Sequence, residues 1–341
     1  KKWKEKFPRA ECQIALSYTT SPVHTVDYYV ELARKVEVMG ADSLCIKDMA
    51  GVLLPQTAYE LITRLKKETS LPIELHSHCT GGICQMTYLR AIEAGVDIID
   101  CALSPFSGGT SQPSTESFNY ALKGTKYDPM LDSDLLDQAA NKLEKFKQKY
   151  LKNGTLKVKA LGVNPNILKY QVPGGMLSNM VSQLKEQGAE DKYQEVLEEI
   201  PRVRKDCGEP PLVTPSSQIV GTQAVFNVLM GERYKMATGE FKDLLRGNYG
   251  QTVKPMNEEV IAKVIPGETR STARSAEATG HTEPELQRLE EEMKQWKQQD
   301  EDVLSYALFP QVAVDFFKYR QAQQESVDVT KADTAAGAYP V

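Results

Sequence analysis

The sequence predicts an α/β fold of the (β/α)8 TIM-barrel type, present as four βα units, followed by an α-rich domain. Three observations predict it. Over the first 130 residues, four apolar runs alternate with amphipathic stretches at about 25–30 residues per unit, and the runs are apolar enough for parallel strands buried on both faces. Polar groups gather at the C-terminal ends of successive runs: Tyr18-Thr19-Thr20, Lys47-Asp48, His76 with His78, and Ser107–Gln112. From about Leu131 the alternation gives way to helical periodicity. Four consecutive βα units fit half of an eight-stranded barrel or an open doubly wound sheet. The polar ends, which would line one mouth, favour the barrel.

The elements follow in order. Cys12–Ser17 reads as the first strand and Thr25–Gly40 as an amphipathic helix; Asp42–Lys47 is the second strand, with a helix near Gln56–Glu68. Leu71–His76 and Val96–Leu103 are the third and fourth strands, with helices near Ile83–Ala94 and from Ser114. Gly40 and Gly95 stand where helix C-caps are expected. Ser133–Tyr150 reads as a charged helix, and Pro173-Gly174-Gly175 as a turn before helices near Leu177–Gln187 and Asp191–Ile200. Helices near Ser217–Leu229 and Thr238–Arg246 complete the α-rich part. Pro266–Glu283, rich in Thr, Ser, Ala and Gly, reads as a linker. Glu283–Gln298 and Asp302–Tyr319 read as two closing helices. The expected organisation is a barrel segment over 1–130, a helical funnel-like domain over 131–265, a linker over 266–283, helices over 284–323 and a flexible tail over 324–341.

Composition narrows the function classes. The 341 residues are 41% hydrophobic with a formal net charge of −5, enough for a large core. The mildly acidic balance, without a basic block, argues against a nucleic-acid partner. No apolar stretch approaches the ~20 residues of a membrane span, and Lys1-Lys2-Trp3-Lys4 is not followed by the apolar region of a signal peptide. The six cysteines form no CxxC pair, so reduced thiols in a cytoplasm are expected.

Only four histidines occur, and two of them, His76 and His78, form an H-x-H at a strand end. Side chains two apart on a strand share a face. The pair is either a buried structural histidine with a solvated neighbour or two imidazole ligands of a metal. Lys47 ends the preceding strand at the corresponding level. It is a partner of Asp48, a desolvated nucleophile or base, or an amine that takes up CO2 to give a metal-binding carbamate. Ser104–Ser114 carries Gly108-Gly109 followed by hydroxyls; it is an ordinary βα loop with a Ser or Thr N-cap, or an anion cradle of backbone N–H groups. In that loop the Thr110 hydroxyl could relay a proton if it stood beside a metal-bound carbonyl.

Together these segments resemble the carboxyltransferase domain of biotin-dependent enzymes, as in oxaloacetate decarboxylase alpha subunits, two-subunit pyruvate carboxylases and transcarboxylase. The matching segments are Ile14–Thr19, Leu44–Gly51, Leu75–Gly82, Ser107–Ser114, Tyr170–Gln183, Pro211–Phe226 and Glu301–Tyr319. The resemblance implies that Lys47, carbamylated, binds a divalent metal with His76 and His78, zinc before manganese or cobalt. It implies that Thr110 passes a proton between the enol of pyruvate and biotin, and that Ser111 and Gln112 contact the biotin. The substrates it implies are oxaloacetate and pyruvate. No Met-Lys-Met biotin-attachment motif occurs, so biotin is expected on a separate carrier protein. The other implied partners are a biotin carboxylase subunit or a membrane sodium pump that would hold the chain at the inner membrane, along with further copies of the chain.

The chain departs from the resemblance in two ways. Cys79 stands where many such proteins carry an acidic or small residue; it is expected to face away from the metal. The chain also holds strands resembling the fifth to eighth of the barrel, whereas the first strand of such barrels supplies an aspartate ligand. A metal-dependent lyase or synthase of the hydroxymethylglutaryl-CoA lyase and isopropylmalate synthase type is one competing reading. An inactive scaffold for a biotin carrier is another.

Overall fold

The computed structural model describes residues 5–170, 172–271 and 285–324. Strands β1 (Gln13–Ser17), β2 (Ser43–Asp48), β3 (Ile73–Ser77) and β4 (Ile98–Ile99) form one parallel sheet in the order β1-β2-β3-β4. Helices α1 (Val26–Val38), α2 (Pro55–Glu68) and α3 (Cys84–Glu93) connect them, and α4 (Thr115–Leu122) follows β4. Each crossover places a helix on the same face of the sheet, as right-handed βαβ units do.

The pleat separates two chemistries. Leu44, Ile46, Ile73 and Leu75 are fully buried on the face under the helices, where Tyr29, Ala33, Leu61, Ile62, Leu65 and Tyr88 meet them. Each such aliphatic side chain contributes about 1.5–3 kcal/mol by leaving water. The other face carries Gln13, Ala15 and Lys47, all exposed, and Ile98, 44% exposed. Local signals fix the helix starts: the Thr25 side chain accepts from the Tyr28 amide, Pro55 opens α2, and Ser114 accepts from the Ser117 amide.

The fourth strand is shorter than its apolar run. Only Ile98–Ile99 pair with β3, at Glu74 and Leu75. The Ala102 amide then bonds Pro113, and the Thr115 amide bonds Ala102. The chain leaves the ladder at Asp100 because the returning loop takes over its hydrogen bonds.

Beyond α4 the chain is helical: α5 (Ser133–Lys152), α6 (Asn166–Tyr170), α7 (Gly174–Glu186), α8 (Tyr193–Asp206), α9 (Ser216–Leu229), α10 (Gly239–Arg246) and α11 (Glu258–Val264). Their core gathers Met176, Met180, Val196, Ile200, Val203, Val220, Phe241 and Leu245. Three expectations change here. Pro173-Gly174-Gly175 is not a turn: Pro173 is the N-cap of α7, and both glycines lie in its first turn. Helix α8 runs through Pro201 to Asp206, because the buried stripe of Val196, Ile200 and Val203 outweighs the one backbone bond the proline lacks. Residues 266–271, read as linker, are tied down: Glu268 pairs with Arg246, Arg270 donates to the Leu245 carbonyl, and the Ser271 amide donates to Arg246.

The chain divides into two compact units, Lys1–Thr272 and Ala273–Val341. In the second, α12 (Glu285–Glu292), α13 (Asp300–Leu308) and α14 (Pro310–Gln324) pack around Met293, Ala313 and Phe317. The helix expected over Asp302–Tyr319 is broken at Phe309, since Pro310 cannot donate to the preceding turn and instead opens α14. Arg320 grips Asp302 with two bonds of 2.9 Å. The Arg320 bond holds the Asp302 carboxyl down at about 2. Most of the expected linker and nearly all of the tail lie outside the described residues.

Candidate active site

Register brings the strand ends to one level. Ser17 pairs with Lys47, and Lys47 with His76, so these three share a face at the C-terminal edge of the sheet. His78, two residues beyond His76, joins them. Asp48 and Ser77 point to the opposite face. Asp48 is fully buried; it accepts from the Val52 amide at 3.0 Å, the Leu53 amide at 2.9 Å and the Ser77 hydroxyl at 2.8 Å. The pairing of Lys47 with Asp48, one of the sequence readings, is therefore not made. Asp48 braces the β2–α2 turn, while Lys47 is presented to the mouth.

The imidazoles converge. His76 Nε2 and His78 Nε2 lie 3.2 Å apart. His76 Nδ1 is 2.7 Å from an Asp100 carboxylate oxygen, which fixes the ring and leaves Nε2 toward the mouth. His78 bonds the Thr110 backbone; burial first, then His76 and the Lys47 charge, pushes it below the ordinary imidazole value in spite of that bond. Its resting form is the neutral ring that metals bind. Gly51 allows the close packing behind His78: it has φ +69°, and a Cβ there would stand 2.5 Å from the His78 carbonyl oxygen.

The Ser104–Ser114 loop folds over this pair. Gln112 Nε2 lies 3.2 Å from His76 Nε2. The Ser111 carbonyl accepts from the Cys79 amide at 2.8 Å, and Thr80 Oγ1 donates to the Gly109 carbonyl at 3.3 Å. Thr110 is exposed and reaches His78 through its backbone. Two of the loop's amides are spent inside it, the Gly108 amide donating to Gln112 and the Ser111 amide to Gly108, each at 2.8 Å. Cys79 is buried, and its thiol bonds that of Cys84 rather than the histidines. All six thiols are free.

The geometry bears on a metal. Two nitrogens bound to one zinc-like ion at about 2.0–2.1 Å, at angles between square and tetrahedral, stand roughly 2.9–3.4 Å apart. The 3.2 Å separation of the two Nε2 atoms suits that. Among the described residues no group of three or more His, Cys, Asp or Glu gathers to hold an ion. Lys47, the further ligand that the resemblance implies, shares the face of the two imidazoles; it would suit a cation as an anionic carbamate and repel it as an ammonium. Sequence reasoning passed over Asp100. Its signal was present, as a carboxylate closing the apolar Ile98-Ile99 in the way Asp48 closes the second run.

Comparisons with known proteins agree with this architecture. Residues 8–143 match the HMGL-like family, and residues 167–340 match the conserved carboxylase domain. A pyruvate carboxylase subunit of Methanocaldococcus jannaschii is 56% identical over 91% of this chain and 54% of its own length. The methylmalonyl-CoA carboxyltransferase 5S subunit of Propionibacterium freudenreichii subsp. shermanii is 47% identical over 96% of this chain and 64% of its own. The carboxyl transferase domain of Rhizobium etli pyruvate carboxylase superposes with a TM-score of 0.80 at 29% identity, over 92% of this chain and 55% of that one. The chain thus spans about half the length of the Methanocaldococcus subunit it matches. With the two family matches in order along an α/β sheet and a helical layer, the chain belongs to the conserved carboxylase domain family.

Proposed function

We propose that this chain is the carboxyltransferase component of a biotin-dependent enzyme, moving a carboxyl group between oxaloacetate or pyruvate and biotin on a separate carrier. The observation that carries the reading is the convergence of the His76 and His78 Nε2 atoms, 3.2 Å apart under Gln112, at the sheet edge where parallel α/β enzymes work. His76, His78 and carbamylated Lys47 would hold a divalent ion, zinc before manganese or cobalt. Such an ion supplies Lewis acidity that polarises a keto-acid carbonyl.

The chain's own residues do the rest. Asp100 keeps the His76 ring in one tautomer and orientation. The Gln112 amide is a neutral group at the same point, suited to a carboxylate or to the ureido carbonyl of biotin, with the Ser111 hydroxyl beside it. Thr110 holds His78 through its backbone, so Thr110→Ala is expected to keep metal affinity. Loss of carboxyl transfer in that variant assigns its hydroxyl the proton relay, and full transfer removes it from the mechanism.

Two names among the relatives, a pyruvate carboxylase subunit and a methylmalonyl-CoA carboxyltransferase subunit, support carboxyl transfer over the lyase reading and over an inactive scaffold. They also favour a biotin carboxylase subunit as partner over a membrane pump. None of the described helices is long and apolar enough to cross a membrane, and six free thiols suit a reducing cytoplasm. The decisive experiment is oxaloacetate decarboxylation by the purified chain, with and without free biotin, alongside metal analysis. Biotin-stimulated pyruvate release with bound metal is the expected result. No release, either alone or with the remaining segment of a relative added, would overturn the reading.

A further inference from the structure

One buried cation joins the two cores of the first unit. Arg204 lies in the last turn of α8 and is 6% exposed. Its Nη1 donates to the Thr20 carbonyl at 2.7 Å, its Nη2 to the Thr19 hydroxyl at 3.1 Å and its Nε to the Pro210 carbonyl at 3.0 Å. The Glu209 carboxylate stands 3.5 Å from Nε. Thr19 and Thr20 form the turn that leaves β1 at the mouth. In that turn the Tyr18 amide donates to the Lys47 carbonyl at 2.8 Å, and the Thr19 amide to the Tyr29 hydroxyl at 2.8 Å. A continuous series of bonds therefore runs from α8 to the backbone of Lys47.

A guanidinium is a costly way to join two layers. Desolvating a cation is costly, and apolar replacements of buried ionic groups are often neutral or stabilising. The turn it grips adds a second cost, because Thr20 Oγ1 is buried without a hydrogen-bond partner. Packing alone calls for neither feature. What the guanidinium provides is direction: three donors in a fixed plane define where two carbonyls and a hydroxyl stand.

We propose that Arg204 is a positioning residue. From the helical layer it fixes the turn after β1, and through that turn it sets the strand end that presents Lys47 to the mouth. The inference rests on the carboxyltransferase reading of the mouth for its consequence, though not for its first readout.

The test uses the full chain with Arg204→Met, Arg204→Lys and Thr19→Val. Three quantities are followed: amide hydrogen exchange over residues 17–24, affinity for cobalt, and kcat and KM for oxaloacetate decarboxylation. Arg204→Met is expected to keep its circular dichroism and to exchange at least tenfold faster over 17–24, with other segments unchanged. Cobalt affinity and kcat are expected to fall at least tenfold with little change in KM. Arg204→Lys should recover part of each loss. Thr19→Val, which removes one acceptor and leaves α8 intact, should show the same pattern more weakly; it carries the test if Arg204→Met does not fold. Unchanged exchange over 17–24, or faster exchange spread evenly over the chain, would overturn the proposal, as would localised exchange with full cobalt affinity and kcat. If the unaltered chain neither binds cobalt nor acts on oxaloacetate, the functional reading fails, while the exchange measurement still decides whether Arg204 holds the turn.

Discussion

In the helical layer, Glu199 and Asp206 are surrounded by donors. Glu199 accepts from Asn227 at 2.8 Å and Arg233 at 2.6 Å; Asp206 accepts from Tyr234 at 2.7 Å, Arg233 at 2.7 Å and Asn257 at 2.9 Å. At the mouth of the sheet a cation and two imidazoles converge instead. Lys47 is exposed and paired with no described carboxylate, and two imidazole nitrogens face each other at 3.2 Å. Unprotonated, the two nitrogens repel; with one proton between them they share a single bond. Saturated carboxylates hold a fold together, whereas titratable groups that converge on one point, oriented by Asp100 and Gln112, are poised for chemistry. The difference marks the mouth as the chemical site and the helical network as structural.

Breaking the mouth should therefore cost ligand binding rather than stability. The largest effect is expected from Lys47→Ala: metal binding and turnover are lost in a complete barrel, while thermal unfolding stays within a few degrees. Full activity in that variant would remove Lys47 from the ligand set. Asp100→Asn comes next. It keeps the shape and weakens the anchor on His76 Nδ1, so metal affinity, measured by competition with a chromophoric chelator, should fall about 10–100-fold. An unchanged affinity would show that His76 is oriented by other contacts.

Breaking the helical network should do the reverse. Arg233→Met leaves Glu199 and Asp206 with fewer donors. Because the arginine side chain is itself 43% exposed, the cost is placed below that of a fully buried pair, at about 1–3 kcal/mol. Urea unfolding checks the size, and unchanged metal affinity checks the division of labour. A loss of metal affinity equal to that of Asp100→Asn would erase the contrast between the two regions.

Much of this was legible in the chain. Hydrophobic period located α1 to α4, and the structure adds that Thr25, Pro55 and Ser114 open their own helices. The H-x-H was visible because strand alternation alone puts both rings on one face. What escaped depended on partners distant in sequence. Asp100 gains its meaning from His76, 24 residues earlier, and Arg204 from Thr19, 185 residues earlier. The fate of Lys47 turned on Asp48 facing the opposite side, a consequence of the pleat that the sequence contains but that register with β3 makes explicit. The loop at Ser104–Ser114 looked like an anion cradle because its glycines and hydroxyls are real. Only the fold shows that the amides of Gly108 and Ser111 are spent within the loop.

The smallest expected effect concerns pH and sharpens the structural half of the comparison. Burial alone would raise the Asp206 carboxyl, but bonds from Asn257, Tyr234 and Arg233 outweigh it and hold the group below its ordinary value. A carboxyl lowered on folding adds stability that is fully present above its unfolded pKa of about 3.9 and is lost as pH falls through the folded value. Asp206→Asn removes that contribution. Its deficit in urea midpoint against the unaltered chain should be constant from pH 7 to about 5 and should narrow as pH falls below about 4. A deficit that stayed constant down to pH 3 would mean that the carboxylate charge contributes nothing there and that the hydrogen bonds act as neutral ones. Metal affinity at pH 7 should be the same in both proteins, because the Asp206 network is saturated within the helical layer.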